Sequence, residues 1–180
     1  MEEIMSHYAL LALAPTFVAL AACSTVTQPA TETLASTELR LADGQSAGTA
    51  RVVSNGQEVR LIADVTGISP GAHGIHLHAV GQCEAPEFTS AGGHLNPEGK
   101  QHGTENPAGS HLGDLPNITA DESGNGSISV VLHSTSEQLL NFLFDSDGTA
   151  VVVHAGPDDY KTDPAGNSGG RIACGVLTRP

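Results

Sequence analysis

Short runs of alternating apolar and polar residues, separated by turn signals, make up most of the chain. Alternation is clear at residues 38–41 and 59–62, and the turn signals Asp43-Gly44 and Asn55-Gly56 lie between such runs. Alternation with a period of two is typical of strands with one buried face. Turns about 8 to 12 residues apart are typical of an antiparallel sandwich or barrel. The pattern therefore predicts an all-β domain of antiparallel strands.

Eight segments have the composition of strands, enough to close a barrel without exposed edges. They are 37–42, 48–54, 58–65, 73–80, 118–123, 127–133, 149–154 and 171–177. A helix is expected only around 136–144. Two Gly- and Pro-rich segments, 81–114 and 155–170, predict long loops, and loops of this length in a compact domain are usually functional or disordered.

An apolar run over residues 9–22 precedes the strand pattern. It is too short to span a bilayer as a helix and resembles the apolar region of a secretory signal. The run ends at Leu20-Ala21-Ala22-Cys23, which resembles the lipobox of bacterial lipoproteins. We therefore predict a lipoprotein-type signal peptide over 1–22 and a lipid on Cys23, which places the protein in the periplasm, anchored to the bacterial membrane.

A plain secretory signal cut near Ala22 is the alternative, and the absence of Lys and Arg from residues 1–8 departs from both kinds of signal. Residues 23–36 are rich in Thr, Ser, Ala and Pro, which predicts a flexible tether. The folded domain is then expected over 37–180.

Acidic residues dominate the charge, with 20 Asp and Glu against 7 Lys and Arg and a net charge of -13. The chain has no run of Lys or Arg that could bind phosphates, which excludes a nucleic-acid partner. The nine histidines outnumber the basic residues. Their positions therefore carry the argument about chemistry.

His76 and His78 are two residues apart in a predicted strand, so both side chains leave the same face. This pair alone is equally compatible with a polar strand face. The following loop and a later strand add further candidate ligands: His94, His102, His111, Asp114 and His154. Imidazoles with one carboxylate suit zinc, and four imidazoles suit copper. These seven side chains supply two four-ligand sites only if one imidazole bridges both metals.

Four sequence motifs resemble those of the copper/zinc superoxide dismutases, in the same order and at compatible spacing. They are GIHLH at 74–78, SAGGHLNP at 90–97, HLGDL at 111–115 and GNSGGRIACGV at 166–176. The resemblance runs over roughly residues 37–177. It implies that the eight strands form a Greek-key barrel, a flattened, immunoglobulin-like sandwich with two long functional loops.

The resemblance also implies the metal ligands. Copper would be held by His76, His78, His94 and His154. Zinc would be held by His94, His102, His111 and Asp114, which makes His94 the bridge. In the family's cycle, copper oxidises one superoxide anion to dioxygen and then reduces a second to hydrogen peroxide, while His94 takes up and supplies a proton. Zinc cannot change its oxidation state and holds His94 in place.

Further roles follow from the same resemblance. Arg171 occupies the position of the arginine that attracts the superoxide anion. A carboxylate should link a copper histidine to a zinc histidine, and spacing favours Asp158 over Asp159 for orienting His76 and His102.

The family's intrachain disulfide corresponds to Cys83 and Cys174, and the export signal would place it in an oxidising compartment. Cys23 is then left for the lipid. The family's bacterial members do not share the eukaryotic dimer contacts, which leaves a homodimer open.

Two other functions are weighed against the dismutase. A periplasmic copper and zinc store without turnover is the alternative, but a store needs no anion guide such as Arg171. A zinc hydrolase is disfavoured, since the sequence lacks an H-E-x-x-H pattern. His73 and His133 are assigned structural or surface roles. Residues 117–119 fit the N-glycosylation pattern, which has meaning only in a eukaryotic secretory route.

Overall fold

The computed structural model describes residues 31–132 and 136–180. These residues form nine β-strands, one α-helix and a short 3₁₀ turn at Thr89–Ala91. The strands and the helix are β1 (Glu32–Leu41), β2 (Ser46–Ser54), β3 (Val59–Val65), β4 (Gly71–His73), β5 (Ile75–His78), β6 (Ile118–Ala120), β7 (Gly126–Val131), α1 (Ser136–Leu143), β8 (Ala150–His154) and β9 (Arg171–Val176). The helix lies where the sequence predicted it.

Seven strands form one curled antiparallel sheet in the order β5-β8-β9-β1-β2-β3-β7, and β4 pairs with β6 in a small second sheet. The small sheet joins the two edges of the large one, because β4 runs into β5 through Gly74 and β6 turns into β7 at residues 121–125. After β3 the chain continues into β4 of the small sheet, and the later strand β7 returns to pair with β3. This is a Greek-key connection. The all-β antiparallel prediction is confirmed, and the expected eight strands are obtained when β4 and β5 count as one.

Alternation along the strands separates an apolar core from the outer surface. In β3, Val59, Leu61, Ala63 and Val65 are buried, whereas Asp64 is exposed. Strand β8 is different, because all five of its residues are buried.

Both faces of β8 are covered by apolar side chains. Val151 and Val153 point into the main core, while Ala150 and Val152 pack beneath Phe88 of the long loop 81–114. This second, smaller core fixes the loop on the barrel wall.

The disulfide between Cys83 and Cys174 is confirmed, with 5.7 Å between the two Cα atoms and a sequence separation of 91 positions. It ties the loop 81–114 to β9. In the loop-entropy model, closing a loop of this length stabilises the fold by about 4 to 5 kcal/mol.

The domain boundary expected at residue 37 is wrong, because β1 begins at Glu32. Residues 32–36 are rich in polar and small residues, but they pair with the end of β2, where Glu32 lies opposite Ser54. Any tether therefore ends before β1. The expected signal peptide over 1–22, Cys23 and His133 all lie outside the described residues. Among the described residues, no helix is long and apolar enough to cross a membrane.

Candidate metal centre

The first cluster of histidines is built on two adjacent strands and one loop. His76 and His78 leave the same face of β5, and His154 ends β8, the strand that pairs with β5. His94 comes from the loop 81–114, which forms a backbone bridge from His94 to His78. One ring nitrogen of each histidine lies within 4.8 Å of the others, and all four residues are at most 8% exposed.

Four ring nitrogens in this cluster are buried and have no hydrogen-bond partner among the described residues. They are Nδ1 of His76 and Nε2 of His78, His94 and His154. A buried polar atom without a partner costs about 1 to 3 kcal/mol, so four together need an explanation. A copper ion held by four imidazole nitrogens provides it, since copper binds imidazole well.

The second cluster adds one carboxylate to three imidazoles. Nδ1 of His94, His102 and His111 lie 2.8, 3.0 and 3.1 Å from Oδ1 of Asp114. The His94 nitrogen is also 3.3 Å from that of His102 and 3.4 Å from that of His111. Four ligands around a tetrahedral zinc with bonds of about 2.0 to 2.1 Å stand about 3.3 Å apart. The donor set and its spacing therefore fit zinc.

Hydrogen bonds outside the clusters fix how the rings are protonated. His78 and His154 direct Nδ1 at the carbonyls of Gly92 and Gly169, at 3.0 and 3.2 Å. His111 directs Nε2 at the carbonyl of Lys100, at 3.1 Å. Since a carbonyl only accepts, each ring donates there and turns its lone pair toward the cluster.

The Asp158 carboxylate likewise accepts a hydrogen bond from one histidine of each cluster and so turns the other ring nitrogen toward the cluster. Its Oδ2 accepts from Nε2 of His76 at 2.8 Å, and its Oδ1 accepts from Nε2 of His102 at 2.9 Å. The structure therefore brings Asp158 against both rings that the sequence analysis named for it. The neighbouring Asp159 is exposed and bonds within its own loop.

His94 is the exception in this network. Its Nδ1 faces the second cluster and its Nε2 faces the first, so neither nitrogen donates to a group outside the two clusters. An imidazole with a ligand position at each nitrogen is what a bridge between two metals requires.

Burial lowers the pKa of His78, His94 and His154 and keeps these three histidines neutral. It lowers the pKa of His78 to about 2, that of His154 to about 3 and that of His94 to about 4, with the neighbouring rings adding to the effect. Burial raises the pKa of Asp114, but the hydrogen bonds from His94 and from the Gly103 N–H outweigh it and hold this pKa below the ordinary value. Neutral imidazoles and an ionised carboxylate are the forms that bind metals.

A cavity of about 450 Å³ leads to the first cluster and is lined by His78, His94, His154 and Arg171. The Arg171 guanidinium donates to the carbonyls of Phe88 and Gly92, at 2.6 Å each. Burial lowers the pKa of Arg171, but a guanidinium stays charged at neutral pH. The cavity therefore presents a fixed cation beside the candidate copper ligands.

Other groups at the site were missed by sequence reasoning. Lys100 and Asp163 also line the cavity, and the Gly92 carbonyl accepts from both His78 and Arg171. Lys100 is the only Lys or Arg in the sequence between His76 and His154, which could have drawn attention to it. A backbone carbonyl leaves no such signal.

His73 lies outside both clusters. Its Nδ1 donates to the carbonyl of His154 at 2.7 Å, and its Nε2 lies 2.9 Å from the carbonyl of Ser69. The residue is 2% exposed. This agrees with the structural role expected for it.

Known proteins and structures are similar to this chain over most of its length. The family model described as copper/zinc superoxide dismutase (SODC) matches residues 46–177. Superoxide dismutase (Cu-Zn) 2 of Aquifex aeolicus is 45% identical over 143 residues, which cover 78% of this chain and 84% of that protein. Superoxide dismutase (Cu-Zn) of Caulobacter vibrioides is 39% identical over 145 residues, covering 77% of this chain and 82% of that protein.

Solved structures give the same result. The crystal structure of a SOD-like protein from Bacillus subtilis matches with a TM-score of 0.73 and 34% identity, covering 79% of this chain and 97% of that one. Since the family model spans more than half of the chain and the relatives exceed 30% identity over more than two thirds of it, the chain belongs to the copper/zinc superoxide dismutase family.

Proposed function

We propose that this protein converts two superoxide anions and two protons into dioxygen and hydrogen peroxide. One anion gives up its extra electron and leaves as dioxygen, and the other accepts that electron and two protons. When bound to the four imidazole nitrogens of the first cluster, copper supplies the one-electron chemistry, which zinc cannot supply. The observation that carries the proposal is His94, whose two nitrogens face the two clusters.

Arg171 binds the substrate in this proposal. Its guanidinium is held by two carbonyls and lies in the wall of the cavity that leads to the first cluster. A fixed cation in a concave, partly buried site attracts a small anion and hydrogen-bonds it in place. The chain as a whole is strongly acidic, so this local attraction is needed to guide the substrate.

His94 supplies one proton. Its Nε2 is buried in the wall of the cavity and has no hydrogen-bond partner in the part of the chain that the structure describes, while Nδ1 is directed at Asp114 and the second cluster. When copper is not bound at Nε2, a proton on that nitrogen gives the neutral imidazole, which burial favours. From there it can pass to the reduced oxygen species.

The second cluster and Asp158 hold this arrangement. His102, His111 and Asp114 surround Nδ1 of His94, and they suit a zinc ion that fixes the ring. Asp158 orients His76 and His102 through their outer nitrogens. These groups position the reacting residues without touching the substrate.

A copper and zinc store would use the same ligands but would need no cation in the cavity wall. The Arg171→Glu variant separates the two functions, because it leaves all seven proposed ligands in place. An approaching anion loses an attraction and meets a repulsion, and each 1.4 kcal/mol so lost costs about tenfold in rate. We expect at least a tenfold slower superoxide decay at low salt, with copper and zinc contents near those of the wild type.

The control is Lys161→Glu, which makes the same charge change on an exposed side chain paired with Glu105, outside the cavity. We expect its rate to stay near the wild-type value, because surface pairs and distant charges contribute little. Added salt should slow the wild type and speed up Arg171→Glu, since it screens attraction in one and repulsion in the other. Unchanged superoxide decay in fully metallated Arg171→Glu would favour the store.

We also propose that the protein is exported to the periplasm and lipid-anchored through Cys23. The apolar run that ends before Cys23 and the Cys83–Cys174 disulfide, a bond typical of oxidising compartments, support this location. Cys23→Ser should move the protein into the soluble fraction or block its processing. Ser24→Ala is the matched control and should partition like the wild type. Equal membrane partitioning of Cys23→Ser and the wild type, with both processed to the same length, would contradict the anchor.

A further inference from the structure

The side-chain amide of Asn117 pairs with the backbone of Asp158. Its Nδ2 donates to the Asp158 carbonyl at 2.9 Å, and its Oδ1 accepts from the Asp158 N–H at 2.8 Å. The two residues are 41 positions apart in the sequence. A planar amide that binds both backbone groups of one residue restrains its position and its orientation.

Asp158 is thereby held from two sides. Its backbone faces Asn117, and its carboxylate accepts from His76 and His102, one histidine of each cluster. Because the carboxylate is attached to the backbone that Asn117 fixes, a shift of this backbone would move the acceptor of both rings.

A third contact of Asn117 fixes the chain that follows Asp158. The Asn117 backbone N–H donates to the Tyr160 hydroxyl at 2.9 Å, and the Tyr160 N–H donates to Oδ1 of Asp158 at 2.7 Å. Tyr160 has φ of 63°, a left-handed conformation that costs free energy for a bulky residue. The contacts from Asn117 stabilise this conformation.

The strands behind these contacts are connected. Asn117 precedes β6, whose Ile118 pairs with His73 of β4, and β4 runs into β5 and His76. The carboxylate and the backbone of Asp158 are therefore held by neighbouring parts of the barrel wall. The loop 155–170 is anchored to this wall at Asp158.

We propose that Asn117 is a positioning residue for the metal centre, which acts through Asp158 on His76 and His102; this inference rests on the proposed function of the two clusters. The glycosylation pattern at 117–119 is then incidental, because Nδ2, the atom that a glycan would occupy, donates to Asp158. The sequence places Asn at this position for its two-sided amide.

Zinc affinity of the purified protein, measured by competition with a chromogenic chelator, tests the proposal without relying on activity. In Asn117→Ala both contacts with the Asp158 backbone are lost. Removing a group that orients metal ligands typically costs about 10- to 100-fold in metal affinity, and we expect about tenfold here. The pH at which half of the zinc is released should rise as well.

Asn117→Asp is the second variant, chosen because it preserves the size of the side chain. A carboxylate has no N–H for the Asp158 carbonyl, so we expect a loss of zinc affinity at least as large.

Two controls lie on the same strand. Thr119→Ala removes the glycosylation pattern at an exposed position and leaves the amide contacts in place. Ile118→Val weakens the core by about 0.5 to 1.5 kcal/mol without touching Asp158. We expect both to bind zinc within about twofold of the wild type, well short of the loss in the Asn117 variants.

Wild-type zinc affinity in Asn117→Asp would overturn the inference. An equal loss of affinity in Ile118→Val would also overturn it, since lower stability alone would then explain the effect. If the wild type itself binds no zinc, the proposed zinc site is wrong and the inference falls with it.

Discussion

The chemistry of the centre depends on how single rings are protonated. Five of the six cluster histidines donate one nitrogen to an oxygen outside the clusters and turn the other inward. His94 alone directs both nitrogens at the clusters. A substitution at His94 should therefore affect both sites, whereas a substitution at one of the others should affect one site first.

His94→Ala removes a proposed ligand from both metals. We expect loss of the wild-type Cu(II) electron paramagnetic resonance spectrum, weaker zinc binding and superoxide decay slower by about 100-fold or more. Removing a group that only orients a ligand costs about 10- to 100-fold, and removing a shared ligand should cost at least as much. His111→Ala is the control, because it should weaken zinc binding while the four ring nitrogens proposed to bind copper stay in place. A wild-type spectrum and rate in His94→Ala would show that the ring is not shared.

Like the loop 81–114, the loop 155–170 meets both clusters. It carries Asp158, and it passes so close beneath that residue that only glycine is accommodated at 166. Gly166 has φ of 62°, and a Cβ there would overlap the Asp158 carboxylate and lie 2.7 Å from Nε2 of His102. The loop geometry and the ligand geometry are therefore not independent.

Gly166→Ala should displace Asp158 and lower zinc affinity by about tenfold or more. Gly56→Ala is a matched control, because Gly56 has φ of 83° but open space around it. Both variants should lose about 1 to 2 kcal/mol of unfolding free energy from the left-handed backbone, measured by denaturant titration. Only Gly166→Ala should show a lower zinc affinity. Equal zinc affinities of the two variants would contradict the close approach of residue 166 to Asp158.

Elements and ligands differ in how far the sequence predicts them. The alternation in β3 reflects a barrel wall with one buried face, so it can be read directly from the residues. The break at Gly74 cannot, because it depends on folded neighbours: a Cβ there would meet Ser168 and His76. The start of β1 at Glu32 was missed because its strand character comes from pairing with β2.

The same distinction holds at the site. The candidate ligands were found because imidazoles and carboxylates in family motifs carry chemical identity. The amide contact of Asn117 and the shared carbonyl of Gly92 arise from segments that meet only in the folded chain. A backbone carbonyl or a common surface residue type gives no sequence signal of such a role.

On the scale of the whole molecule, the long loops are attached to the barrel by links of different chemistry. The disulfide and the Arg171 contacts fasten the loop 81–114 to β9, and Asp158 joins the loop 155–170 to both clusters. Folding the metal-free chain buries neutral histidines, so its stability should depend on pH.

We expect the metal-free protein to lose stability as the pH falls below about 6.5. The folded-state pKa values of His94, His154 and His78 are lowered to about 4, 3 and 2, so between these values and 6.5 the unfolded chain binds more protons. Stability is therefore highest above pH 6.5, and each neutral histidine costs up to about 1.4 kcal/mol per pH unit below it. Denaturant titrations at pH 7 and pH 5 measure the effect, and equal stabilities would contradict it.

The His94 ring and the Asp158 carboxylate are common to both clusters, and this has a thermodynamic consequence. Filling one cluster orders a ring and a carboxylate that the other cluster also needs, so we expect positive cooperativity between the two metals. Linkage requires the coupling to be reciprocal: if zinc raises copper affinity by some factor, copper raises zinc affinity by the same factor. A chelator that removes one metal should therefore lower the protein's affinity for the other metal.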